Sequence, residues 1–143
     1  MKLFKDKTQA RPFIKWVGGK TQLLDEVKKS LPRDFATRQH VTYVEPFVGG
    51  GAVMFWILQA YPNIEHAVIN DINEELICTY RVIKESVEEL IPELSRIQSE
   101  YIPLNAEARK DYFMAKRALF NTKNTSPVET AALFIFLNRT CFN

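Results

Sequence analysis

The sequence predicts an α/β protein that opens a parallel sheet and then gives way to helices. Three observations carry this. Val41 to Val44 is a short β-branched run that alternates in the manner of a buried strand. It ends in Glu45 and Pro46 and passes through Phe47 and Val48 into Gly49-Gly50-Gly51, after which apolar residues recur at helical spacing. A second short strand, His66 to Asn70, ends at Asp71, and beyond about residue 85 no strand pattern recurs.

A strand, a Gly-rich turn and a helix start form the first unit of a nucleotide-binding α/β sheet. Glycines admit a ligand close to the backbone, and a helix start turns unpaired N–H groups toward it. Gly49-Gly50-Gly51 lacks the G-x-G-x-x-G spacing, and a tight turn without a ligand is the competing reading. Asp71 weighs against that reading. It follows Gly51 by twenty residues at the end of the next strand, where such sheets place the acid that grips ribose hydroxyls. Two acids at two strand ends with glycines between them point to an adenosine-type site.

At 143 residues, with 46% apolar and 25% charged content, the chain suits one soluble globular domain. It contains no apolar run of membrane-spanning length and no N-terminal signal core, so a cytoplasmic protein is expected. Cys78 and Cys141 lie far apart and, with only His40 and His66 besides, offer neither a disulfide framework nor a zinc site; no metal is expected. The net charge of +2 is unevenly spread, with Lys2, Lys5, Lys7, Arg11, Lys15 and Lys20 opposed by Asp6 alone in the first twenty residues. Such an arm suits a polyanion, and equally a solvated tail.

Along the chain, Pro12 to Val17 is a short apolar segment preceding Gly18-Gly19-Lys20-Thr21. This is not a phosphate loop, because the residue five before Gly19 is Ile14 rather than glycine. Trp16 and Lys20 flank the glycine pair and could face a small ligand; a core tryptophan is the commoner role. A helix with Leu23, Leu24, Val27 and Leu31 on one face stops at Pro32. The helix after the triple glycine, Val53 to Leu58, is apolar nearly all round and should be well buried. Glu74 to about Glu85 forms the next helix, with Leu76, Ile77, Tyr80 and Ile83 inward. Ser86 and Glu89 have capping-box spacing for a helix expected to kink near Pro92. Asn105 caps a helix to about Asn121 with a basic side of Lys110, Lys116 and Arg117, and Ser126-Pro127-Val128-Glu129 starts a last one to Leu137. Two strands leave sheet edges unpaired, so self-association through an exposed edge is expected.

Three motifs occur in order: Phe13-Ile14-Lys15-Trp16-Val17-Gly18-Gly19-Lys20, Glu45-Pro46-Phe47-Val48-Gly49-Gly50-Gly51 and Ile69-Asn70-Asp71-Ile72-Asn73. Together they resemble the Dam-type N6-adenine DNA methyltransferases, from about Pro12 to the last residue. The resemblance implies a partial Rossmann-like, S-adenosylmethionine-dependent methyltransferase sheet over residues 1–85. Residues 86–143 would begin a helical DNA target-recognition domain. Trp16 and Lys20 would contact S-adenosylmethionine, and the loop of Glu45, Pro46, Phe47, Gly49, Gly50 and Gly51 would wrap it. Asp71 would hold the ribose hydroxyls and Ile72 would pack on the adenine. Double-stranded DNA would be the partner, with Lys15 reaching a base edge. Leu137-Asn138-Arg139 and Phe142-Asn143 look like the start of the recognition motif, placing Arg139, Phe142 and Asn143 at the DNA. Phe142 would enter the base stack and help extrude the adenine, as chemistry on a duplex base requires.

The sequence departs from this family at one point. In the family's Asp-Pro-Pro-Tyr motif the Asp side chain and a Pro carbonyl accept hydrogen bonds from the adenine amino group and the Tyr stacks on the flipped base, and no Pro-Pro pair occurs in this sequence. No catalytic residue is therefore assigned. The expected activity is methyl transfer to adenine N6 in a short duplex site of the GATC kind. The alternative is a truncated, inactive fragment that only binds cofactor or DNA. A nicotinamide-dependent oxidoreductase is the remote third reading.

Overall fold

The computed structural model describes residues 9–141, which form two compact units meeting in sequence at Asp71 and Ile72. Helix 74–85 thus belongs by packing to the helical unit, whereas the sequence reading placed its boundary after residue 85.

The first unit holds α1 (Leu24–Ser30), β1 (Val41–Glu45), α2 (Ala52–Ala60) and β2 (Ile64–Ile69), with a 3₁₀ turn over Lys20–Leu23 leading into α1. β1 and β2 pair in parallel, Tyr43 beside Ala67, Val44 beside Val68 and Glu45 beside Ile69, with α2 as the crossover that parallel pairing demands. Among the described residues the sheet has two strands. A sheet this narrow cannot cover both sides of a helix, and α2 shows the consequence. Val53, Met54 and Ile57 are buried, but Leu58 is 38% exposed, so the expectation of near-complete burial holds for one face only. The alternation in β1 is present, with Val44 turned outward beside the equally outward Val68.

Past both strands, backbone bonds tie the loops together. Asn70 N–H donates to the Glu45 carbonyl at 2.9 Å and Val48 N–H donates to the Asn70 carbonyl at 2.9 Å. The residues before Asp71 are thereby stitched to the segment that carries the glycines.

The second unit comprises α3 (Glu74–Glu85), α4 (Val87–Tyr101), α5 (Ala106–Asn121) and α6 (Pro127–Thr140). Its core is Val82, Leu90, Ile97, Ala131, Ala132, Leu133 and Phe136, with α6 at the centre of the packing. Ala131 and Ala132 are fully buried, so small side chains bring neighbouring helices close to α6. Tyr101 and Tyr112 meet the Phe136 ring edge-on at centroid distances of 5.1 and 5.7 Å, a favoured aromatic geometry.

The caps at Asn105 and Ser126 form as their residue types dictate: Asn105 Oδ1 accepts from Ala108 N–H at 2.9 Å, and Ser126 Oγ accepts from Glu129 N–H at 3.2 Å. Asn73 caps α3 in the same way through Leu76 N–H at 2.7 Å. The capping box at Ser86 does not form. Its backbone, at φ −141° and ψ 34°, is not the extended conformation of a capping serine, and its carbonyl alone serves the helix start. Pro92 lies inside α4, which continues through it as one element. No described helix is long and apolar enough to cross a membrane.

Candidate functional site

The first unit places a cavity of about 280 Å³ where its three motifs converge. Its wall includes Trp16, Gly18, Gly19, Lys20, Phe47, Gly49, Gly50 and Asp71. Residues separated by more than fifty positions are thus brought to one place by β1, β2 and the turn before α1.

The glycines have a specific neighbour. A Cβ on Gly49 would lie 2.8 Å from Trp16 Cδ1, and one on Gly50 would lie 3.2 Å from Trp16 Cβ. The indole therefore rests on the backbone of Gly49, which Trp16 requires to be glycine before any ligand is considered, and Gly50 is tightly packed against the same residue. Gly49 also has φ +51°, and Gly51, the residue before α2, has φ +80°. Both conformations disfavour a side chain.

Asp71 Oδ2 accepts a hydrogen bond from Gly49 N–H at 3.0 Å. The acid expected at the second strand end is thereby linked directly to the glycine loop after the first. Ile72 follows it and is 95% exposed. Val17 and Phe47, which also border the cavity, are exposed apolar side chains.

Glu45 differs from its expected position. It is 6% exposed and is not part of the cavity wall. Its Oε1 accepts from Lys20 Nζ at 3.0 Å and its Oε2 from the Tyr43 hydroxyl at 2.7 Å. Lys20 also donates to the Phe47 carbonyl, so one ammonium fastens both the buried acid and the loop that follows it. Burial, followed by the bond to Glu45 and its negative charge, raises the Tyr43 hydroxyl well above the ordinary tyrosine range. Sequence reasoning missed Tyr43. Its spacing of two from Glu45 puts both on the same side of β1, which is the signal that could have found it. Pro46 is exposed beside them.

Of the residues expected at DNA, Lys15 is exposed next to Trp16, and Arg139 is exposed in the last turn of α6. Phe142 and Asn143 lie outside the described residues. The second unit has its own cavity, of about 840 Å³, in which Arg109, Lys110 and Arg117 accompany Phe113, Phe120 and Phe134. Among the described residues no group of three or more His, Cys, Asp or Glu side chains could hold a metal ion.

Two outcomes follow from this geometry. Gly49→Ala should lower stability to urea by about 2–4 kcal/mol, combining a left-handed backbone with an overpacked contact on Trp16. Gly19→Ala, whose Cβ would meet only the Trp16 carbonyl oxygen at 3.4 Å, an ordinary contact distance, should cost far less. The raised Tyr43 value makes its contribution to stability complete below the unfolded tyrosine value of about 10. That contribution is lost as pH climbs from there toward the folded value. Tyrosinate absorbance should show a late-ionising group that is absent in Tyr43→Phe, and the variant should show a shallower alkaline loss of stability.

Comparison with known proteins gives the family of the chain. Residues 16–143 match the model of the D12 class N6 adenine-specific DNA methyltransferases. The chain is 43% identical over 137 residues to the type II methyltransferase M.MjaIII of Methanocaldococcus jannaschii, covering 94% of this chain and 47% of that protein. It is 37% identical over 139 residues to the DNA adenine methylase of Haemophilus influenzae, covering 97% and 43% respectively. The DNA N-6-adenine-methyltransferase of Escherichia phage P1 is 32% identical over 133 residues, covering 93% of this chain and 15% of that protein. The chain therefore spans less than half the length of each of these relatives. With its family matched from Trp16 onward, the chain belongs to the D12 class of N6 adenine-specific DNA methyltransferases.

Proposed function

We propose that this chain supplies the S-adenosylmethionine pocket of an enzyme that methylates adenine N6 in duplex DNA. The observation that carries the proposal is the meeting of Trp16, Lys20, the glycine loop and Asp71 around one cavity in a chain of this family. The two strands are read as the first of a larger Rossmann-like sheet. The cofactor brings a methyl group activated by a sulfonium centre; the residues of this chain bind and orient it. Asp71, fixed by the Gly49 amide, is suited to accept from ribose hydroxyls. Lys20 donates two hydrogen bonds within the protein, and an ammonium has three donors, which leaves one for a ligand carboxylate. The exposed side chains of Val17 and Phe47 offer apolar surface that an adenine ring could cover, and Ile72 is assigned to the adenine by the family resemblance alone. Trp16, the backbone of Gly49 to Gly51, and Pro46 complete the assigned cofactor side, with Glu45 acting from behind Lys20.

The DNA side is assigned to Lys15, Arg139, Phe142 and Asn143, with residues 86–143 as the opening of a recognition domain. The basic, aromatic cavity of the second unit suits a polyanion with stacking bases. A GATC-like site, a cytoplasmic location and self-association through the open edge of the β1–β2 pair belong to the same reading. No two prolines are adjacent in the 143 residues, so Asp-Pro-Pro-Tyr is not among them. The role proposed for these residues is accordingly the pocket.

Asp71→Ala tests the cofactor site. Its affinity for S-adenosylmethionine, measured by calorimetry, should fall at least about tenfold, as loss of a charge-assisted hydrogen bond implies. Circular dichroism should stay as in the parent chain. Undiminished affinity would count against the assignment.

A further inference from the structure

The charge arrangement beneath the cavity carries a further inference, which rests on the cofactor reading above. Lys20 forms part of the cavity wall, and an unbalanced ammonium there would oppose a positively charged ligand. Glu45 lies behind the wall, with its side chain 7% exposed and 3.0 Å from Lys20 Nζ. Both of its oxygens already accept bonds within the chain, from Lys20 and from Tyr43. Its position is that of a counter-charge held in place, and not that of a group turned toward a ligand.

We propose that Glu45 determines specificity through Lys20, cancelling its charge so that the pocket does not discriminate against the cationic sulfonium cofactor relative to the neutral thioether left once the methyl is gone. Loss of the methyl group takes one positive charge from the ligand and leaves the rest of its structure nearly unchanged. Shape alone therefore discriminates weakly between the two forms, whereas a charge in a partly buried site can discriminate strongly. Tyr43 serves as a positioning residue: its hydroxyl fixes the second carboxylate oxygen and directs the first at Lys20.

Calorimetric titration of the 143-residue chain with S-adenosylmethionine and with S-adenosylhomocysteine tests this. Glu45→Gln should weaken binding of the sulfonium form about tenfold more than binding of the thioether, from one unbalanced charge at moderate effective dielectric. The double variant Glu45→Gln with Lys20→Met, which has no unpaired charge, should return the ratio of the two affinities to the parent value. Tyr43→Phe keeps the charges and should shift both affinities alike. The excess loss of the sulfonium form in Glu45→Gln, which comes from one uncompensated charge, should shrink as salt is raised. Equal losses for the two ligands in Glu45→Gln, or a double variant that keeps the altered ratio of Glu45→Gln, would overturn the inference while leaving the cofactor site standing. A parent chain that binds neither ligand would overturn the site assignment and this inference together.

Discussion

The first unit depends on one contact: Trp16 packed on the glycine loop, its indole against Gly49 and its Cβ against Gly50. The loop can accept that ring only because Gly49 lacks a side chain, and the ring forms part of the cavity wall. Lys20 secures the arrangement by holding Glu45 at the end of β1 and the Phe47 carbonyl two residues later. Asp71 closes it from the second strand through the Gly49 amide. Three separated motifs thus become one object through a ring, an ammonium and a carboxylate. A partly buried ion pair such as Lys20–Glu45 is a modest source of net stability, and its value here lies in fixing geometry.

The two units are built on different physics. In the helical unit, α6 is apolar around much of its circumference and buries Ala131, Ala132, Leu133 and Phe136 in a core shared with α3 and α4. In the first unit the apolar stretches are longer than the structure around them can cover. Val44 and Val68 stand side by side and exposed on the two-stranded sheet, and Leu58 emerges on the far side of α2. Apolar surface of this kind, contiguous and in register, has the character of an interface.

Much of this was legible in the sequence. Strand, glycine turn and helix fall where alternation and helical spacing put them, and α3 runs over Glu74–Glu85 as expected. Asn105 and Ser126 cap their helices because the residue type and its position suffice. At Ser86 the pattern misled, since the cap needs an extended backbone that the tight turn between α3 and α4 does not allow. The glycines were legible as a site of close approach, but the group that approaches is Trp16, because no local pattern states which distant side chain will fill a cradle. The Lys20–Glu45 bond joins residues twenty-five positions apart with no periodicity between them. Burial of α2 was overestimated because apolar composition states what a helix can bury, while the number of strands beside it decides how much is buried.

The most direct test of the account is hydrogen–deuterium exchange of the chain with and without saturating S-adenosylmethionine. Slower exchange in residues 12–20 and 45–51 together, with α4 and α5 unchanged, is the predicted result. Protection confined to the cavity of the second unit around Arg109 and Phe113, or no protection anywhere, would contradict the claim that these motifs assemble the cofactor pocket.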